Sequence, residues 1–246
     1  AMAGTQGAYG GENQLFTWGA NPSGGLGHNN SSNNFKLSSP TQIPGNWTDQ
    51  FGAGYQGAGC IKSDGTLWNW GYGGYGMLGL NANTTYSSPK QVGTDTDWAT
   101  FNRGQEFCVG TRTDGTLWVW GRNYRGQLGQ NQNGETSPDA NNGMSSPIQI
   151  PGTTWSTTYS VATDQKKLLA VKADGTLWTW GTNNGGALGL NQPAPVGPRS
   201  SPTQLGTGTD WKTGYGNNNV AATKTDGTLW TWGNNVGGEL AQNDTI

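Results

Sequence analysis

Histidine is almost missing from this chain: His28 is the only one, and cysteine occurs twice, at Cys60 and Cys108. Ser-His-Asp or Cys-His catalysis would have to run through His28. That residue sits in the loop "GGLGHNN", in a slot that later copies of the loop fill with Leu80, Gln130, Leu190 and Gln242, so nothing there demands an imidazole. Two thiols and one imidazole also fall short of any zinc pattern, and neither a metal nor a cofactor is expected. Cys60 and Cys108 occupy the same strand of neighbouring repeats and read as buried free thiols rather than a disulfide. Charge is scarce too, at 11% of residues and a net −2. The long-range attraction used by nucleic-acid and anionic-membrane binders is therefore lacking, and neither partner is expected. No run reaches the roughly 18 apolar residues of a membrane span. The N-terminal "AMAGTQGAYG" has neither the basic nor the apolar stretch of a secretory leader.

What is abundant is glycine, 43 of 246 residues, together with 13 tryptophans. Disordered chains are poor in aromatics and rich in charge, so this composition points to a turn-rich all-β domain instead. The tryptophans recur in one phrase, "SDGTLWNWGYGGYG", "TDGTLWVWGRNYRG", "ADGTLWTWGTNNGG" and "TDGTLWTWGNNVGG", with an eroded version, "ENQLFTWGANPSGG", at Glu12. The glycines after each second aromatic are Gly19, Gly71, Gly121, Gly181 and Gly233, spaced 52, 50, 60 and 52 residues apart. A period of that length marks a solenoid, a propeller or an array. The approximate repeats are 3–46, 47–97, 98–154, 155–210 and 211–246.

Each repeat divides into four strand-like pieces. The first follows a lone tryptophan, Trp47, Trp98, Trp155 or Trp211. The second is small and apolar, as in "GAGCIK" and "FCVGTR". Asp64-Gly65, Asp114-Gly115, Asp174-Gly175 and Asp226-Gly227 then supply a two-residue hairpin turn, which wants positive φ at both positions. The third strand, "TLWxWG", places its tryptophans two apart and hence on one sheet face. A "GxNxxGxLG" loop follows, with Asn123, Asn183 and Asn235 at positions suited to left-handed geometry and a leucine to anchor it inward. The fourth piece, "SSPxQ", carries a proline and suits an outer edge. Inner strands apolar on both faces need neighbours on both sides, which radial stacking provides. The fold expected is a β-propeller of five four-stranded blades closed by N- and C-terminal segments, with "AGTQGAYGG" alternatively a degraded second strand of the first unit. Phe16, Trp18 and the four tryptophan pairs are then interblade core, in preference to exposed sugar-stacking platforms.

The phrase "DGTLWTWGxNxxGxLGxN…SSPxQ" resembles the regulator of chromosome condensation repeat family, and the likeness runs through nearly the whole chain. The resemblance implies a β-propeller, most familiarly seven-bladed where this chain has five units. It implies no single function, since members include a chromatin-bound nucleotide exchange factor, an ultraviolet-B photoreceptor, a secreted β-lactamase inhibitor and many bacterial and phage proteins. The basic tails of the chromatin-bound type and the clustered arginines of the photoreceptor have no counterpart here. The low-charge, Asn/Gly/Trp-rich style is similar to the bacterial and phage branch, which implies a virion or extracellular setting.

Chemistry has little to stand on. Glycoside hydrolysis needs a carboxylate pair, but the repeated aspartates belong to the turns, and Glu106, Glu135, Asp139 and Asp164 are scattered over different units. The reading is a non-enzymatic, monomeric binding or structural scaffold. Loops between third and fourth strands vary most, six residues from Asn81 to Ser87 against fourteen from Asn131 to Ser145. The turns "NRGQE" and "TDQKK" belong to the same end. Tyr72, Tyr75, Arg103, Arg122, Tyr124 and Arg125 gather there as candidate ligand or partner residues, because Tyr and Arg most often anchor interfaces. Lys62, Arg112, Lys172 and Lys224 each lie two residues before the turn aspartate; they form either a ring of cations open to an anion or local pairs with a neighbouring Asp. The partner class expected is a protein or a glycan, with a lectin as the alternative and a small-GTPase exchange factor as the second.

Overall fold

Each "DGTLW" phrase folds as the turn and second arm of an antiparallel hairpin. The computed structural model describes residues 2–7, 13–54, 56–132, 143–158, 162–163, 166–191, 197–216 and 219–241, with residues 2–7 and 162–163 traced as backbone. The chain is all β apart from short 3-10 turns. In the first unit β1 (Met2–Gly7) pairs with β2 (Asn13–Ala20), and β2 with the front of β3 (Lys36–Gly54). The back of β3 then opens the second unit, with β4 (Gly57–Lys62), β5 (Leu67–Gly71) and β6 (Tyr86–Gln91). β7 (Trp98–Arg103), β8 (Phe107–Arg112), β9 (Leu117–Arg122) and β10 (Gly143–Ile150) make the third. β11 (Ala162–Thr163), β12 (Lys167–Val171), β13 (Leu177–Gly181) and β14 (Arg199–Gln204) make the fourth. β15 (Trp211–Gly216), β16 (Asn219–Lys224) and β17 (Leu229–Gly233) complete the set. Sequential order is spatial order throughout, and the "SSPxQ" strands β6, β10 and β14 are sheet edges, whereas that of the first unit is the front of β3, which runs on into the second unit.

Two local expectations need correction. The hairpin turn is a three-residue loop rather than a two-residue one: the Arg112 N–H donates to the Thr116 carbonyl at 2.9 Å and the Gly115 N–H to the Arg112 carbonyl at 3.0 Å. Only the glycine takes a positive φ, 80° at Gly115. The aspartate stays outside that region because its job is electrostatic: Asp114 Oδ1 accepts from the Thr116 hydroxyl at 2.7 Å and the Thr116 N–H at 2.9 Å. Likewise Asn123, Asn183 and Asn235 do not adopt left-handed geometry. Their Oδ1 atoms each accept the N–H of the inward leucine, Leu128, Leu188 or Leu240, at 3.0 Å. The left-handed residue is the asparagine after the loop, as at Asn81, Asn131 and Asn191.

Packing runs between units. One cluster joins Phe107, Val109 and Leu117 of the third unit to Leu168, Ala170 and Trp180 of the fourth, and equivalent clusters join the others. The second tryptophan of each pair crosses the joint: Trp70 Nε1 donates to the Gly25 carbonyl (3.1 Å), Trp120 to Met77 (3.0 Å), Trp180 to Gln127 (2.9 Å) and Trp232 to Ala187 (3.1 Å). Trp70, Trp120 and Trp180 are wholly buried, as interblade core requires. The first tryptophans, Trp68, Trp118 and Trp178, are half-buried, as are Phe16 and Trp18. A second joint lies at the turns. The carbonyls of Gly65, Gly115 and Gly175 accept the N–H of Trp98, Trp155 and Trp211 in the next unit.

Among the described residues the first and last sheets share no strand. β1 takes the second-strand position of the first unit, and the last sheet consists of β15, β16 and β17. The large apolar side chains exposed among the described residues all belong to that last sheet and its loop: Tyr215, Leu229, Trp230 and Val236.

These joints give two expectations. A Cβ on Gly175 would run into the Thr209 carbonyl, whereas one on Gly227 has nothing within 4 Å, although both residues hold positive φ. Gly227→Ala therefore costs only the backbone strain, about 1 kcal/mol, and Gly175→Ala costs clearly more in denaturant unfolding. The Thr176 hydroxyl, followed by its N–H, holds the Asp174 carboxyl below its ordinary value of 3.8. A depressed carboxyl contributes stability above the unfolded value and loses it as pH falls through the folded one. In Thr176→Val, Asp174 therefore titrates nearer its ordinary value by carbon-13 NMR, and the stability gap to wild type narrows as pH falls below that ordinary 3.8.

Candidate functional site

The two ends of each unit differ in chemistry. At the turn end, the four repeated cations stand over indole rings. Lys62 Nζ lies 3.8 Å from the Trp68 ring centre and 5.3 Å from that of Trp47. Arg112 lies 4.3 Å from Trp118 and 5.0 Å from Trp98, Lys172 4.0 and 5.1 Å from Trp178 and Trp155, and Lys224 5.0 Å from both Trp230 and Trp211. Arg112 also meets Asp95 at 2.6 Å, and Lys224 meets Asp210 at 3.1 Å. Each cation is thus taken up inside its own unit by cation–π contact, with carboxylates closing two of the four.

The other end collects the Tyr and Arg candidates. In each unit the turn between first and second strands meets the chain leaving the third: the N–H groups of Tyr72, Arg122 and Thr182 donate to the carbonyls of Gln56, Glu106 and Lys166, at 2.8, 2.8 and 2.9 Å. Between the second and third units this end encloses a cavity of about 270 Å³ lined by Gln56, Tyr72, Tyr75, Arg103 and Glu106 among others. Arg122 bridges to Glu106 at 2.6 Å and lies 4.5 Å from the Tyr75 ring centre and 5.3 Å from that of Tyr124. Arg125 lies 4.8 Å from the other candidate tyrosine, Tyr124. Tyr75, Arg122, Tyr124 and Arg125 therefore form one stacked run beside the cavity. Tyr75 is held at φ 58°, where an L side chain is strained; its counterpart in the fourth unit is Gly185, at φ 60°.

Arg103 departs from expectation. It is an interior residue, 3% exposed, and not part of the loop surface. Its Nη1 donates to Asn69 Oδ1 at 2.8 Å and its Nη2 to the Tyr72 carbonyl at 3.2 Å. The room for it comes from glycines in the neighbouring unit: a Cβ on Gly57 would sit 2.7 Å from Nη2, one on Gly54 3.2 Å from Cγ, and one on Gly52 2.6 Å from the backbone N. Asn69 replaces the Val or Thr that other units carry between their tryptophans, and it is wholly buried. The glycine-rich "FGAGYQGAG" and this Asn are the signals in the sequence that an interior Arg accompanies them. Burial lowers the Arg103 pKa and raises that of Cys108, whose Sγ donates to the Met77 carbonyl at 3.3 Å.

Cys60 is pushed up to about 12 by burial, and both thiols are free and buried, as read from the sequence. His28 is partly buried, which lowers its pKa, and its Nε2 lies 2.9 Å from the Thr17 hydroxyl. No group of three or more metal-ligating side chains occurs among the described residues. Most of the long Asn131–Ser145 loop, with Glu135 and Asp139, and Asp164 of the "TDQKK" turn lie outside the described residues.

Comparison with known proteins fits this geometry. The chain is 27% identical over 179 residues to the human E3 ubiquitin-protein ligase HERC2, covering 71% of this chain and 4% of that one, and the mouse HERC2 matches equally. Prp20p from Saccharomyces cerevisiae superposes with a TM-score of 0.77 at 18% identity, covering 94% of this chain and 56% of Prp20p. Human WBSCR16 gives 0.74 at 18%, covering 95% and 62%. The chain thus spans a small part of HERC2 and little more than half of those solved propellers, and at such identity the structural likeness is one of fold. The Regulator of chromosome condensation (RCC1) repeat model matches residues 12–61, 64–110 and 114–161, which carry the Trp70 and Trp120 joints, and the chain belongs to that family.

Proposed function

We propose that the chain is a non-catalytic binding module that takes a protein partner on the end of the second and third units where Tyr75, Arg122, Tyr124 and Arg125 stack. The observation that carries this reading is the uneven distribution of anchoring chemistry. The repeated joints are near-identical, but the matching loop slots read Tyr72, Arg122, Thr182 and Asn234, so two units carry Tyr and Arg and two do not. A lectin with one pocket per unit would repeat its ligands. A protein interface concentrates a few Tyr and Arg anchors in one patch. A solved relative, yeast RCC1 (Prp20), is known bound to Kap60, and Prp20p is described for binding Gsp1p and histones. Exchange-factor activity of that kind is the less favoured reading for a chain of net charge −2. The low charge and Asn/Gly-rich composition support a virion or exported bacterial setting.

Panning a displayed peptide library on the immobilised chain tests this. Selected peptides should bind wild type and the exposed-site control Lys36→Ala alike, and lose about 30-fold or more in affinity for Arg122→Ala/Tyr124→Ala, the effect of removing two anchors. Glycan-array binding without peptide enrichment, or accelerated nucleotide release from a small GTPase by both forms alike, would contradict it.

A further inference from the structure

The cavity beside Arg103 holds a charge imbalance that the surface run does not explain. A guanidinium carries five N–H donors. Two of those of Arg103 go to neutral oxygens, on Asn69 and Tyr72, and its Nε has no partner. No described carboxylate forms an ion pair with it; the Glu106 carboxylate that lines the same cavity is engaged at 2.6 Å by Arg122. A buried charge left uncompensated is costly. Glu106 Oε2 is also buried without a hydrogen-bond partner. The Arg103 guanidinium, with N–H donors to spare, and the Glu106 carboxylate thus line one space of about 270 Å³ walled by Tyr72 and Tyr75.

We infer that this cavity binds the carboxylate of an acidic side chain in a peptide segment, with Arg103 pairing the carboxylate and Glu106 Oε2 accepting a backbone N–H of the same segment. A carboxylate neutralises the buried guanidinium, and charge-assisted pairing of Arg with carboxylate is among the stronger contacts available. The second group separates a peptide from a bare anion. Inorganic phosphate brings the charge but no amide donor for Glu106. The arrangement is specific to this joint. The residue five places after the lone tryptophan is Arg103 here and Gly216 in the last unit, and the glycines that clear its path occur opposite it alone.

This inference rests on the binding-module reading only for the source of the ligand, and its test is separate. The 246-residue protein is titrated with N-acetylaspartate N-methylamide, acetate, inorganic phosphate and chloride while the Arg103 Nε–Hε signal is followed by nitrogen-15 NMR. The aspartate diamide should shift that signal saturably, binding about tenfold tighter than acetate or phosphate. In Glu106→Gln its advantage over acetate should shrink, and in Arg103→Met all saturable binding should vanish while circular dichroism stays that of the wild type. A wild-type signal that does not move with the diamide overturns the inference without any variant. So does phosphate binding more tightly than the diamide, or binding that persists in Arg103→Met. Diamide binding with no peptide enriched in panning would leave this site standing and remove the surface reading; the reverse would do the opposite.

Discussion

The indole N–H that crosses from one unit to the last loop of the unit before it is the interaction on which the rest of this molecule depends. A single four-stranded unit of some fifty residues, apolar on both faces of its inner strands, cannot bury itself. The joint solves this by giving each buried tryptophan two tasks. Its ring fills the space between sheets, and its Nε1 satisfies a carbonyl that the tight "GxLG" loop leaves unpaired. The loop glycine is part of the same device. A Cβ on Gly27, Gly79, Gly129 or Gly189 would come within 2.8 to 3.0 Å of the incoming indole nitrogen. The last copy of the loop has Ala241 at that place, at φ 55°. Leu229 and Trp230 alongside it are exposed.

Function follows from what these joints leave free. Because packing is settled by the tryptophans, the turn aspartates and the inward leucines, the strand ends opposite the turns are open to variation. Among the described residues the second and third units stack Tyr against Arg there, and their joint admits an interior guanidinium. The turn end is consumed by structure: its cations lie against indoles and its aspartates hold threonines. A scaffold divided in this way leaves one end free to vary without disturbing the core.

Much of this architecture is legible in the sequence, because the phrase that repeats is the phrase that packs. The tryptophan period gives the units, the proline of "SSPxQ" the outer strand, and the leucine of "GxLG" its buried anchor. Backbone detail was less legible where one residue has two ways of serving a turn. Aspartate and asparagine tolerate positive φ, yet here Asp114 and Asn123 act as hydrogen-bond acceptors, and the neighbouring glycine or a later asparagine takes the strained conformation. The candidate site was half legible. Tyr75, Arg122, Tyr124 and Arg125 meet as their loop positions suggest. Arg103 reads as a loop residue because its burial depends on glycines some fifty places earlier, a long-range complementarity that no local pattern reveals.

The central claim, that the second tryptophan of each pair locks adjacent units through its indole N–H, is tested most directly by hydrogen exchange at the indole nitrogens, followed by NMR under native conditions. Nε1–H of Trp70, Trp120 and Trp180 should exchange far more slowly than Nε1–H of Trp68, Trp118 and Trp178, which bond threonine hydroxyls at the half-exposed turn end. Equal exchange in the two sets, or faster exchange in the first, would mean that the units are not joined as described.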